Sequence, residues 1–246
     1  MHQTVVDRFR EFSIRFEGLV HWPYLDIKGL VTVGIGNLID PVSAALALPW
    51  VLEGDGSPAT REQVLADWSA LKARKELAKR HYNAARPITR IRLTETGVDI
   101  LVRSKLLQNE AYMRKRLTNW DRLPADAQLF CCSMAWAVGP GWVDIFKNCV
   151  AFLLKSDFTN AAKCAAIKTE GNPGIVPRNA ANQVCLHNAE TVTLRQLDPD
   201  VLYWPSHPDP NGDTIANLQA EARKTEAEWK GVPYRFPEDE DTLPNV

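Results

Sequence analysis

The chain has 246 residues, long enough for one large domain or two small lobes around a real core. Its 45% hydrophobic and 24% charged residues are the make-up of a folded globular protein and exclude a disordered one. A net charge of −1, from 29 basic and 30 acidic side chains, excludes a global electrostatic drive toward nucleic acid or an anionic surface.

Val5, Phe9, Phe12 and Phe16 recur at helical spacing and predict an amphipathic first helix that stops at Gly18. Two short apolar runs between Trp22 and Gly36 flank Asp26-Ile27-Lys28-Gly29, a turn-like stretch, and predict a β-hairpin. Residues 40–58 read as loop. Thr60 is an N-cap for a helix to about Asn83, whose charged run (Arg74, Lys75, Lys79, Arg80) reads as a solvated face. Thr94 caps a long helix over 95–117. Pro124 opens a helix over about 125–138 that is apolar nearly all round, the mark of a core centre, and Gly139 ends it. Further helices are expected over about 142–155, 159–168 and 178–191. Residues 198–212 read as an irregular surface segment, 213–230 as a charged helix, and the tail from Pro233 as extended or disordered.

No segment has the length and purity of a transmembrane helix, and the N-terminus lacks a signal-peptide pattern. The five cysteines (Cys131, Cys132, Cys149, Cys164, Cys185) are odd in number, sit among apolar neighbours and form no Cys-x-x-Cys pair. They read as buried free thiols, and no metal is expected.

Chemistry concentrates between Phe16 and Gly36. Cleaving a glycosidic bond takes one protonated carboxyl for the leaving oxygen and a second carboxylate for water or the sugar. Glu17 stands at a predicted helix C-terminus, where the dipole and the flanking Phe16, Leu19 and Trp22 are expected to raise its pKa, as an acid needs. Asp26 lies in the hairpin turn, and Thr32 across the hairpin from it offers a hydroxyl to hold a water.

Glu17-Gly18, Pro23-Tyr24-Leu25-Asp26 and Gly29-Leu-Val-Thr32-Val-Gly34-Ile-Gly36 together resemble the catalytic signature of the phage-type lysozyme family. Two later stretches are similar to other parts of that family: Leu123-Pro124 through Trp136-Ala137-Val138-Gly139 to its central helix, and Gly174-Ile-Val-Pro-Arg178-Asn179 to the opening of a late helix. The resemblance spans roughly 3–40 and 94–192. It implies an α+β, mainly α, two-lobed lysozyme-like fold, with a small N-terminal β-hairpin lobe and a helical lobe. Residues 1–192 would form the catalytic domain, with 41–93 an inserted or extended connection, and 193–246 a C-terminal extension.

The resemblance also implies a muramidase that cuts the β-1,4 bond between N-acetylmuramic acid and N-acetylglucosamine, with no metal or cofactor. Glu17 is then the general acid, and Asp26 with Thr32 positions the attacking water. Tyr24, Asn37, Leu38 and Trp136 are candidate substrate-binding residues, with core packing the alternative for Trp136. Arg178 is the candidate that orients the acid. The chain departs from the family pattern in places: Asn37 stands where a His is usual, Ala137 where a polar residue is usual, and strict spacing aligns Asn179 with the pairing arginine.

Gly34-x-Gly36 lacks the third glycine and βαβ setting of a dinucleotide fingerprint, and no serine-hydrolase elbow or phosphate-loop lysine occurs. Two other readings remain. One is a non-catalytic wall-binding module on a lysozyme fold. The other is a lytic transglycosylase, which needs only the acid. The expected setting is a monomer made in the cytoplasm that acts on the periplasmic or extracellular cell wall after delivery or lysis. Its partners would be peptidoglycan strands and an immunity or delivery protein, with no nucleic acid and no membrane insertion.

Overall fold

The stripe Val5, Phe9, Phe12 and Phe16 sets the first helix, α1 (Gln3–Glu17), and all four side chains are buried. Gly18 ends it by taking φ +69°, with its N–H donating to the Ile14 carbonyl at 3.0 Å. A residue with a Cβ would resist that conformation. The computed structural model describes residues 1–170 and 174–208, and shows a mainly helical chain with small antiparallel sheets, the α+β class. The expected helix over 213–230 and the tail from Pro233 lie outside the described residues, as do 209–212. Residues 198–208 are irregular, as expected.

The described chain divides into two compact units, residues 13–104 and residues 1–12 with 105–208. In the first, β1 (Val20–Leu25), β2 (Val31–Gly34) and β3 (Asn37–Leu38) form an antiparallel sheet in the order β1-β2-β3. The expected two-stranded hairpin thus gains a third strand. Gly34 and Gly36, both at positive φ (69° and 79°), reverse the chain a second time between β2 and β3.

Residues 40–58 are not plain loop. They hold α2 (Val42–Leu46) and β4 (Trp50–Leu52), and β4 pairs with β5 (Ile91–Leu93) in a second, two-stranded sheet. Such short elements carry too few residues for a periodic signal. The buried Trp50 ties them, donating Nε1–H to the Ala45 carbonyl at 2.7 Å.

Thr60 caps α3 (Arg61–Lys72) through a full capping box with Gln63. The helix stops eleven residues short of Asn83, and 3-10 turns over Lys75–Lys79 and Tyr82–Ile88 follow. Past Leu71 the next buried positions are six and fourteen residues on, Leu77 and Ala85, too sparse to make the repeating apolar stripe of an α-helix. Arg74, Lys75, Lys79 and Arg80 are exposed, as a solvated face should be. The buried Asp67 carboxylate accepts the Arg90 and Ile91 amides and so anchors the start of β5.

Thr94 accepts the Gly97 amide and caps α4 (Glu95–Met113), which ends one turn earlier than expected. In the second unit, α5 (Ala125–Val138) matches its predicted span, and every residue from Ala125 to Ala135 is buried. It packs along α9 (Ile175–Arg195). The stretch 142–155 is two short helices, α6 (Trp142–Ile145) and α7 (Lys147–Leu153), rather than one; α8 is Phe158–Lys163. All five cysteines are free and only Cys164 has appreciable exposure; burial pushes the Cys131, Cys132, Cys149 and Cys185 thiols up. Among the described residues no helix is long and apolar enough to cross a membrane, and no group of three or more His, Cys, Asp or Glu side chains is placed to hold a metal ion.

Candidate active site

The pairing register decides which side chains share a surface. Tyr24 lies opposite Thr32, and Thr32 opposite Leu38, so these three stand in a row on one face of the β1-β2-β3 sheet. Leu25 opposite Val31 and Val33 opposite Asn37 take the other face, and all four are buried. Asp26 donates its N–H to the Leu30 carbonyl at 2.9 Å, which extends the ladder by one step. Asp26 therefore falls on the Tyr24 face, diagonal to Thr32, where such neighbours lie ~7 Å apart.

Asp26 is held by its own turn. Its Oδ1 accepts the Lys28 and Leu30 amides at 2.9 and 2.8 Å, and Gly29 supplies the positive φ of 75° that closes the reversal. Both turn amides go to Oδ1, so the second carboxylate oxygen stands outside the turn's hydrogen bonds. Thr32 is 5% exposed and donates its hydroxyl hydrogen to the Leu30 carbonyl at 3.3 Å. Toward a water, its oxygen then acts as an acceptor.

Glu17 is the last residue of α1 and is exposed. The desolvation expected from its apolar neighbours is not there in the free protein. Phe16 turns into the core, and Trp22 is engaged by Arg86 and Arg92, whose guanidinium carbons lie 5.1 and 5.7 Å from its ring centre. Helix phase explains this: one residue past a buried position rotates ~100° toward solvent. Gly36 approaches the acid closely, since a Cβ there would stand 3.7 Å from Glu17 Oε2.

Tyr24 ties the carboxylates into one electrostatic neighbourhood. Its burial, and then the fields of Glu17, Asp26 and Tyr82, push its phenol up to about 12. The hydroxyl is thus a donor at any working pH, placed within reach of the fields of both acids.

The other expected binding residues separate. Leu38 is 53% exposed at the edge of the row. Asn37 is buried at 6%, and its Oδ1 accepts the Ile35 amide at 3.2 Å, so it closes the β2–β3 turn rather than facing outward. Trp136 and Arg178 belong to the second unit. Trp136, half-buried on α5, packs on Phe9 with ring centres 5.0 Å apart, which is the core-packing alternative. Arg178 is 1% exposed at the start of α9, with Nη1 3.4 Å from both the carbonyl and the hydroxyl of Ser133. Asn179, which strict spacing put in its place, instead brackets the Ile167 backbone with two hydrogen bonds of 3.0 and 2.7 Å.

Sequence reasoning missed Tyr82. Its ring lies 5.9 Å from Tyr24 and 6.0 Å from Trp22. The signal was present as an aromatic in a stretch otherwise read as solvated helix. No protein-family model matches the chain, and no curated protein sequence matches it.

Proposed function

We propose that the chain is a peptidoglycan-cleaving muramidase, with Glu17 as general acid and Asp26 with Thr32 holding the water. The observation that carries this reading is the shared neighbourhood of Glu17, Tyr24 and Asp26, with Thr32 diagonal to Asp26 on the same sheet face. A water that gives one hydrogen to the free Asp26 oxygen and the other to the Thr32 oxygen keeps a lone pair for the anomeric carbon. Glu17, on the opposite side of the scissile bond, gives its proton to the leaving oxygen. Direct attack by that water inverts the anomeric configuration. In this reading the unit holding the sheet is the hairpin lobe of a lysozyme-like fold, and the other is the helical lobe. The setting is the cell wall, reached by delivery or lysis, with a small immunity protein as the natural antagonist of a delivered form.

The test is clearing of purified peptidoglycan by the purified chain, followed by mass spectrometry of the products. Reducing N-acetylmuramic acid ends are expected. Anhydro ends would assign a transglycosylase, and binding to the sacculus without clearing would assign a wall-binding module.

Asp26→Asn separates the two jobs of that residue. An amide Oδ1 accepts the Lys28 and Leu30 N–H groups as the carboxylate does, so the melting temperature is expected to hold. Water activation is lost, and turnover falls by about a hundredfold or more. An active Asp26→Asn protein would remove Asp26 from the chemistry. Asp26→Ala also loses the turn bonds, and the expected extra cost is about 1–3 kcal/mol in a denaturant melt.

A further inference from the structure

The segment 74–90 lies outside the stretches that resemble a lysozyme, yet it brings an aromatic side chain to the candidate site. Within it, the turn Tyr82–Ile88 packs against β1. Ala85 is the residue this turn buries, at 2% exposure, whereas Tyr82 remains partly exposed. Trp22 Nε1–H donates to the Tyr82 carbonyl at 3.0 Å, so the backbone is anchored independently of the phenol ring. The ring itself is braced by His81, 3.9 Å between centres, and by Trp22, whose own ring is engaged by Arg86 and Arg92. Glu53 in turn pairs with both of those arginines. A surface aromatic set this firmly has already lost the rotamer freedom that binding would otherwise cost.

We propose that Tyr82, together with Tyr24, forms a saccharide-stacking subsite beside Glu17 and Asp26, so that the 74–90 segment is part of the glycan-binding surface. A β-1,4-linked N-acetylhexosamine presents an apolar C–H face and a polar rim. Partly exposed phenol rings with hydroxyl tips match both features. The two rings, 5.9 Å apart and tilted by 53°, present a bent rather than a flat surface, which suits successive sugars that turn relative to each other. The Tyr24 hydroxyl, kept protonated, supplies a donor to a sugar oxygen where the Asp26 carboxylate supplies only acceptors. Selectivity for a bare glycan over a phosphate-bearing polymer follows, because the Asp26 carboxylate repels anions and Glu53 already occupies Arg86 and Arg92.

This inference rests on the glycan-cleaving reading of the site, and binding is therefore measured apart from turnover. The full chain carrying Glu17→Gln is titrated calorimetrically with the β-1,4 hexamer of N-acetylglucosamine. Adding Tyr82→Ala is expected to weaken binding by about tenfold. Tyr82→Phe and Tyr82→Trp, which keep a ring, are expected to stay within about threefold. In the active protein, Tyr82→Ala is expected to raise KM and leave kcat nearly unchanged, the split a subsite residue gives. Unaltered affinity in Tyr82→Ala overturns the subsite, and so does failure of the Glu17→Gln parent to bind the hexamer. A Tyr82→Phe protein as weak as Tyr82→Ala, with a lowered melting temperature, would show a structural role and also overturn it. If the parent binds and Tyr82→Ala does not, but the wild type clears no peptidoglycan, the subsite stands and the hydrolase reading falls.

Discussion

Replacing Glu17 by Gln is expected to reduce peptidoglycan clearing by 10²–10⁴-fold, the usual contribution of a general acid. The side chains are nearly isosteric, so only the proton is withdrawn. The leaving alkoxide then has no donor, and the water held at Asp26 and Thr32 attacks a bond that does not break. Glu17 is exposed at the end of α1, and its helix stop is supplied by the Gly18 backbone rather than by its side chain. A thermal melt of Glu17→Gln beside the wild type separates loss of the acid from any loss of fold. A second readout is independent of catalysis. The Glu17 charge is one of the causes that raise the Tyr24 phenol, behind burial. Glu17→Gln should therefore lower the Tyr24 titration midpoint from about 12, as followed by ultraviolet absorbance or NMR. A Tyr24 that shifts without loss of clearing would keep the geometry and remove Glu17 from the acid role.

How much of this was legible beforehand follows from the range of each signal. α1, α5 and the cap at Thr60 rest on local rules: a 3.6-residue stripe, an all-round apolar helix opened by proline, and a side chain that satisfies its own helix's amides. They came out within a residue or two of expectation. The turn at Asp26 is local in the same sense, because its partners are two and four residues away. Illegible features depend on distant pairing. β4 is three residues long and exists because β5 lies beside it, nearly forty residues later. Asp67, a charge on a helix in the sequence, is buried because it completes the backbone of Arg90 and Ile91. Asn37 read as outward-facing by its motif position, whereas the positive-φ glycines on either side of Ile35 turn it inward. At the candidate site, then, the chemical groups were legible and the aromatic wall from the 74–90 segment was not.

Asp126 is expected to be a costly polar side chain to lose in the second unit. It is wholly buried near the start of α5, where Oδ1 accepts from Asn188 Nδ2 at 2.8 Å and the Trp204 amide at 3.0 Å, and Oδ2 accepts the Tyr203 amide at 2.9 Å. Asn188 completes the cluster, donating also to the Ser206 carbonyl and meeting His207 Nδ1 through its Oδ1. One carboxylate thus fastens the irregular 198–208 segment onto α5 and α9. Asp126→Ala strands three buried donors, and about 3–5 kcal/mol of stability is expected to go, or about 10 °C in melting temperature. Burial, opposed by these hydrogen bonds, pushes the Asp126 carboxyl up to about 6 from an ordinary 3.8. Between those values the folded chain holds a proton that the unfolded chain has released. Stability from this group is therefore complete below pH 3.8 and falls, by at most roughly 3 kcal/mol, as pH rises through 6. Glu110 acts with the opposite sign in a lower window. Burial alone would raise it, but the Met1 ammonium at 2.7 Å and Arg114 hold it below 4.5, so its stabilisation is lost as pH falls. Denaturant melts from pH 3 to 7 should show both limbs, with Asp126→Asn flattening only the decline between pH 4 and 6. An unchanged decline in Asp126→Asn would assign that limb to other groups and leave Asp126 ionised throughout.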